Sequence, residues 1–365
     1  MEYYIYITKN CNLSCQYCCG KNIIQNTKTN SIVTGQKSLS NTIKYIISDS
    51  IKNMHKDNTI VFYGGEPLLN QGDIIKVIKN TYDKNNFRYL LYTNGLLLNN
   101  IDPFLLKHID YLFVSIDGEE SIHNNNRGQN TYEKIINNLN SIKSSFNGET
   151  VARLTITKES KVDQAVLSLI NYFDNIFWQI VSSGNLINSE IFLNNYTHGI
   201  SNLLNYWISN INNGIVKNLI PFQSIMTSIL CDVQHRHLRC GCGSTLRVID
   251  IEGNIHLCDE IMCDKKIKTE KYLINDNFNP EYWITEKLNQ DCENCEIKYL
   301  CGGRCLHTML SRPQEEFRFY CKLTNDTINQ LRNVVPIAKE ALIKNKIDIN
   351  QFNTYLARNG TEQIP

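Results

Sequence analysis

Four thiols, Cys11, Cys15, Cys18 and Cys19, fall within nine residues directly after the run YYIYIT. Disulfides between neighbours on one short loop would constrain little of a fold, so the crowding points to metal chemistry. Thiolates at the CxxxCxxC spacing of Cys11, Cys15 and Cys18 can converge on one iron–sulfur cluster, and a four-iron cluster normally takes four cysteines. Three protein ligands leave one iron open to a non-protein ligand. Cys19 is a poor fourth, because adjacent residues rarely aim both side chains at one cube. The competing reading is a zinc knuckle that lacks a partner.

Composition narrows the classes. The chain has 365 residues, 42% hydrophobic and 20% charged, which suits a soluble globular protein with one large domain and a smaller one. A net charge of +1 gives no electrostatic reason to expect nucleic acid or a membrane surface as partner. The N-terminus is no signal peptide, and no stretch of ~20 apolar residues spans a bilayer. A cytoplasmic location is therefore expected, where thiols stay reduced and the 14 cysteines are metal ligands before they are disulfides. None lies between Cys19 and Cys231, and the other ten crowd into Cys231–Cys321.

The elements that position these residues are short apolar strands alternating with helical patterns. Strands are expected at Tyr3–Thr8, Thr59–Tyr63, Arg88–Thr93, Tyr111–Ile116, Ala152–Thr157 and Asn175–Ser182. Helices are expected at Leu39–Met54, Gln71–Tyr82, Tyr132–Ile142 and Lys161–Phe173. The repeat of roughly 25–35 residues fits βα units on a parallel sheet. Six units are too few for a closed eight-fold barrel, so the fold class is α/β, a partial (β/α)6 TIM-like barrel. In such folds chemistry collects at the C-terminal ends of the strands. There lie Cys11–Cys18, Gly64-Gly65-Glu66, Thr93-Asn94-Gly95 and Ser115-Ile116-Asp117-Gly118. The expected division is a barrel over 1–185, a bridging helical segment over 186–230, a cysteine-rich region over 231–322 organised by metal, and a tail over 323–365. Ser189–Asn212 reads as the bridging helix and Thr324–Asn345 as the final one.

CxxxCxxC after a first strand, with Tyr17 before the third cysteine, resembles the radical S-adenosylmethionine superfamily. Tyr63-Gly64-Gly65-Glu66-Pro67 resembles its GGEP motif, whose glycine backbone and carboxylate hold the amino group of the methionine moiety. Ser115-Ile116-Asp117-Gly118, with His123 and Arg127 downstream, resembles the SxDG…H…R stretch of the peptide-modifying branch. The resemblance implies cofactor contacts for Tyr17, Gly64, Gly65, Glu66, Ser115 and Asp117. It places Ser115 near the ribose or the methionine carboxylate, with Arg153 as that carboxylate's counter-ion. It also implies the chemistry. The open iron chelates S-adenosyl-L-methionine, an electron from the cluster splits the C5′–S bond, and the 5′-deoxyadenosyl radical abstracts a hydrogen atom.

The C-terminal cysteines follow Cys240-x12-Gly253-x4-Cys258, then Cys292-x2-Cys295-x5-Cys301-x3-Cys305, then Cys321. This resembles the SPASM domain, which holds two auxiliary clusters and brings the total to three 4Fe–4S clusters. The distal one would use Cys292, Cys295, Cys301 and Cys321. The other would use Cys240, Cys258 and Cys305, with Cys231 as fourth ligand and Cys263 and His235 as alternatives. A pair of zinc sites is the competing reading. Cys19, Cys242 and Cys263 then read as small buried hydrophobes. Asp259 resembles the general base of anaerobic sulfatase maturases and is the candidate catalytic residue, with a local cap as the equal alternative. Gln179 and Trp178 are possible pocket residues, with core packing preferred for Trp178.

The resemblance implies an enzyme that oxidises a peptide or protein side chain. The first reading is a maturase of ribosomally made peptides, forming a thioether or carbon–carbon link. The second is an anaerobic sulfatase maturase that makes formylglycine, favoured by Asp259 and disfavoured by Cys18-Cys19-Gly20. The third is an iron–sulfur electron-transfer protein without catalysis, against which the GGEP loop argues. The expected partners are a peptide substrate, with its leader bound at another site or by a separate recognition protein, and a flavodoxin- or ferredoxin-type electron donor. The barrel begins at Tyr3, so no fused N-terminal leader-binding domain is expected.

Overall fold

A computed structural model describes residues 1–18, 20, 36–52, 57–84, 86–181, 189–264, 266–267, 274 and 290–359. Cys19 lies outside them, as do the expected ends of a helix at Met54 and a strand at Ser182. In chain order the elements are β1 (Glu2–Thr8), α1 (Gln36–Lys52), β2 (Asn58–Gly64), α2 (Gln71–Thr81), β3 (Phe87–Thr93), α3 (Pro103–His108), β4 (Tyr111–Ser115), α4 (Glu120–Arg127), α5 (Thr131–Ile142) and β5 (Glu149–Ile156). They continue with α6 (Val162–Leu169), β6 (Asn175–Ile180), α7 (Glu190–Asn212), α8 (Ile220–Leu230), β7 (Leu246–Ile249), β8 (Ile255–His256) and α9 (Asp259–Cys263). The last are α10 (Gln290–Glu293), α11 (Lys298–Cys301), α12 (Leu306–Ser311), α13 (Gln314–Ile343) and α14 (Tyr355–Asn359).

The chain forms two compact units. The first comprises 1–116, 123–151 and 245–279, and the second 117–122, 152–244 and 280–365. In the first, strands run in the order β4-β3-β2-β1-β7-β8. All neighbours are parallel except the β7–β8 hairpin. The β1–β2 register pairs Tyr4 with Val61 and Tyr6 with Tyr63, then slips before Thr8 meets Gly64.

Period-2 alternation sorts the strand residues into two faces. Tyr3 donates to Asp49 on α1 at 2.8 Å, and the Tyr89 hydroxyl meets Thr81 Oγ1 on α2 at 2.8 Å. These rings lie on the helix-covered face. Tyr4, Tyr6, Tyr63 and Tyr92 fill the opposite face in T-shaped or tilted contacts at centroid distances of 5.3–6.1 Å. Tyr92 then stacks on Phe113 at 4.3 Å.

Two expectations change. Residues 231–322, expected as a cysteine-rich region organised by metal, also carry regular strands. Leu246–Ile249 pairs with β1, and Gly253, at φ +91°, supplies the positive φ of the turn into β8. The final helix starts ten residues before Thr324, at Gln314. Pro313 stands at its N-cap, and Glu315 and Glu316 in the first turn favour the helix dipole. Cys321 is therefore held on a helix. In the second unit α7 packs on α13, with Leu203, Trp207, Leu323 and Leu331 fully buried in that unit's core.

Candidate active site

The loops leaving β1, β2 and β3 are tied together by backbone first. Gly65 N–H donates to Thr8 O and Glu66 N–H to Asn10 O, each at 2.8 Å. The approach is too close for any side chain. A Cβ on Gly65 would lie 2.1 Å from Asn10 O, and one on Gly64, where φ is +126°, 2.4 Å from Thr8 O. The two glycines thus seat the exit of β2 against the cysteine loop.

Glu66 is fully buried. Its Oε1 accepts the Thr93 hydroxyl at 2.8 Å and Leu68 N–H at 3.1 Å, and its Oε2 accepts Asn94 N–H at 2.7 Å. Burial pushes its carboxyl above the usual range, while these three donors favour the charged form. Asn94 carries the connection onward, its side-chain amide donating to Asn12 Oδ1 at 2.7 Å and pointing at Cys11 Sγ at 3.9 Å. Cys11 and Cys15 are half-exposed and Cys18 exposed, on one turn closed by Cys18 N–H to Cys15 O at 3.3 Å. Burial pushes the Cys11 thiol up, and Glu66, Cys15 and Cys18 are close enough to add to it. Soft sulfur donors turned away from the core on one loop suit an iron–sulfur cluster.

A fourth element steadies the loop. Gln16 N–H donates to Asn126 O at 2.8 Å and Gln16 Nε2 to Asn125 O at 2.7 Å, both at the end of α4. The Arg127 guanidinium stands 5.4 Å over the Tyr17 ring. His123 is buried and meets Thr131 Oγ1 at 3.1 Å. Thr93 and Asn94 lie in a strand-end loop singled out from sequence but without a role, and Gln16 was not picked out. Their signal was position alone, directly after a strand or between two cysteines.

Ser115 is half-exposed at the end of β4. Asp117 is fully buried in the second unit and accepts Thr155 N–H at 3.1 Å. In that unit Arg153 donates to Gln179 Oε1 and lies 4.8 Å over Phe177. Trp178 is wholly core, its Nε1 donating to the Tyr196 hydroxyl at 3.2 Å.

Cys258 and Asp259 belong to the first unit. The Cys258 thiol donates to Asp259 Oδ1 at 3.7 Å, at the start of α9. Cys263, at the end of α9, is buried with its sulfur 3.9 Å from the Tyr6 hydroxyl. Cys231, Cys240 and Cys305 lie in the second unit, Cys231 exposed and the others half-buried, while Cys242 is buried. His235 meets Ser228 Oγ at 3.0 Å, and burial beside Arg239 lowers its pKa to about 4.

Four thiols come together in the second unit. Cys292, Cys295, Cys301 and Cys321 line one cavity of about 340 Å³, shared with Arg304, Arg318, Lys298 and Lys322. The helix α13 supplies Cys321, α10 supplies Cys292 and α11 supplies Cys301, with Cys295 between the two short helices. Among the described residues no three His, Cys, Asp or Glu side chains close in on a single metal ion. A cube spreads its ligands farther apart than one ion does.

A parallel α/β unit with a three-thiol loop locked to a buried Gly-Gly-Glu corner has the architecture of a radical S-adenosylmethionine enzyme. Residues 5–169 match the family described as Radical SAM superfamily, and the chain carries that domain. It is similar to the cysteine-type anaerobic sulfatase-maturating enzyme of Clostridium perfringens, 25% identical over 346 residues, covering 86% of this chain and 90% of that one. Similarity also extends to the radical SAM cyclopropyl synthase TigE of Paramaledivibacter caminithermalis, 23% identical over 346 residues, 82% of this chain and 66% of that one. The solved structure described as native anSMEcpe with bound AdoMet shares the fold, with a TM-score of 0.70 at 19% identity over 92% of this chain and 99% of that one. SuiB of Streptococcus suis bound to precursor peptide SuiA does so more distantly, with a TM-score of 0.53 at 14% identity over 86% and 74%. The protein is thus an enzyme whose radical SAM domain implies S-adenosylmethionine and an iron–sulfur cluster. Among the described residues no helix is long and apolar enough to cross a membrane.

Proposed function

We propose that this enzyme oxidises a side chain of a peptide or protein substrate. Cys11, Cys15 and Cys18 would hold the radical-generating cluster. Tyr17, the Gly64-Gly65 backbone, Ser115 and Arg153 would hold S-adenosylmethionine, with Glu66 and Asp117 ordering the backbone around it. When bound, the two cofactors supply reductive cleavage of the sulfonium and hydrogen-atom abstraction from the substrate. The chain itself supplies position and exclusion of water. The observation that carries this reading is the continuous link from Glu66 through Asn94 to Cys11, which joins three strand ends into one platform.

Formylglycine formation becomes the first substrate reading, because relatives named for sulfatase maturation match nearly end to end. In that reading Asp259 takes the proton from the substrate Cys or Ser side chain. Peptide crosslinking is the second, supported by the cyclopropyl synthase and by the fold shared with the SuiB–SuiA complex. The SPASM-like spacing supports two auxiliary clusters, one with Cys292, Cys295, Cys301 and Cys321. Cys231, Cys240, Cys258 and Cys305 would be the ligands of the other. A flavodoxin- or ferredoxin-type protein would supply the electron.

The test is anaerobic turnover with cysteine- and serine-bearing sulfatase-type peptides and, separately, with small peptides encoded beside the gene. Formylglycine appears as an aldehyde trapped by a hydrazide. A crosslink appears as loss of hydrogen without an aldehyde. Failure to alter any peptide while 5′-deoxyadenosine accumulates would contradict both substrate readings.

A further inference from the structure

The cavity of four cysteines is lined by a turn whose backbone is unusual. In Cys301-Gly302-Gly303-Arg304-Cys305, Gly302 and Gly303 have φ of +72° and +83°. A Cβ on Gly302 would lie 2.7 Å from His237 O, so the first position admits no side chain. A helical residue followed by a left-handed one, as Cys301 and Gly302 are, turns successive N–H groups to one side, and such concavities bind anions and iron–sulfur centres. The Arg304 guanidinium lines the same cavity. It is fixed by donating from Nη1 to Thr324 Oγ1 at 2.5 Å and by lying 4.8 Å over the Tyr320 ring.

Of the cations lining the cavity, Arg304 is fixed within its own unit by Thr324 and Tyr320. Arg318, by contrast, is exposed and committed to Asp291 at 2.8 and 3.3 Å. One-electron reduction of a four-iron, four-thiolate cluster adds one negative charge. A fixed cation beside the sulfurs stabilises the reduced form and raises the potential.

We propose that Arg304 sets the reduction potential of a cluster held by Cys292, Cys295, Cys301 and Cys321, holding it above the value the cluster would have without this cation. This rests on the reading of a cluster at those four cysteines. Iron analysis of the full chain tests that reading separately. Cys295→Ala must lose about four irons relative to the unaltered enzyme, and an unchanged iron count removes the cluster and the proposal together.

Given the cluster, the deciding measurement is an anaerobic redox titration followed by electron paramagnetic resonance. Arg304→Gln is expected to move one reduction step to lower potential and leave the others in place. Arg304→Lys keeps the charge and the stem, and its titration is expected to overlay that of the unaltered enzyme. A Gln variant that titrates unchanged overturns the proposal. So does a Lys variant whose step moves to lower potential, and this arm stands even if the Gln variant takes up no iron.

Discussion

The carboxylate of Glu66 accepts the backbone N–H of Asn94 at 2.7 Å while Asn94 extends its side chain to within 3.9 Å of the Cys11 sulfur. A carboxylate that sequence analysis assigned to a cofactor's amino group is thus also the fastener of three loops. With three of its roughly four lone-pair sites engaged inside the protein, its organising role comes before any contact with a ligand.

Glu66→Gln tests that role. The amide replaces one acceptor oxygen with a donor, so a neighbouring N–H or O–H loses its partner in a fully buried site. We expect a loss of about 1–3 kcal/mol of stability by denaturant unfolding, together with a rise in KM for S-adenosylmethionine. A variant as stable as the parent would show that the carboxylate does not hold the loops.

Gly65→Ala drives a methyl into the carbonyl of Asn10, a backbone atom that cannot rotate away. The loop that carries Cys11 must shift, at a cost of about 1–3 kcal/mol. Iron bound at the first site is expected to fall with it. Gly72→Ala is the control, because a Cβ there meets nothing within 4 Å.

The β7–β8 hairpin carries a pH dependence of its own. Burial of Asp250 opposes ionisation, but the hydrogen bonds from His256 at 2.9 Å and from the Asn254 side chain and N–H outweigh it, so its carboxyl lies below the usual range. A carboxyl lowered in the native state contributes stability above its unfolded pKa of about 3.9, and that contribution is lost as pH falls through the lower native value. Urea unfolding between about pH 6 and pH 3 is expected to show this loss in the parent and less of it in Asp250→Asn. Parallel curves would remove Asp250 as the source.

Cys263 has a packing role that sequence left open. Its sulfur is buried against the Tyr6 hydroxyl. Cys263→Ala is expected to retain the full iron content and lose about 1 kcal/mol, as one buried heavy-atom deletion does. A loss of iron would make Cys263 a ligand after all.

The thiol loop, the Gly-Gly-Glu corner and the first four strands were legible because they depend on local spacing and period. β7 was not, since four residues next to cysteines look irregular until β1 gives them a partner. Helix α4 was missed because ESIHNNNR is polar and asparagine-rich. Its helical state follows from the contacts that bury His123, Asn126 and Arg127. Asn94 was placed at a strand end but given no role, because a side chain that joins two loops far apart in sequence leaves no local pattern.

The most direct test is anaerobic incubation of the reconstituted full chain with S-adenosylmethionine and dithionite, measuring 5′-deoxyadenosine. The unaltered enzyme should form it, and a variant with Ala at Cys11, Cys15 and Cys18 should not. Formation at equal rates in both, or in neither despite a full complement of iron, would contradict a cluster at the end of β1 with an iron open to the sulfonium.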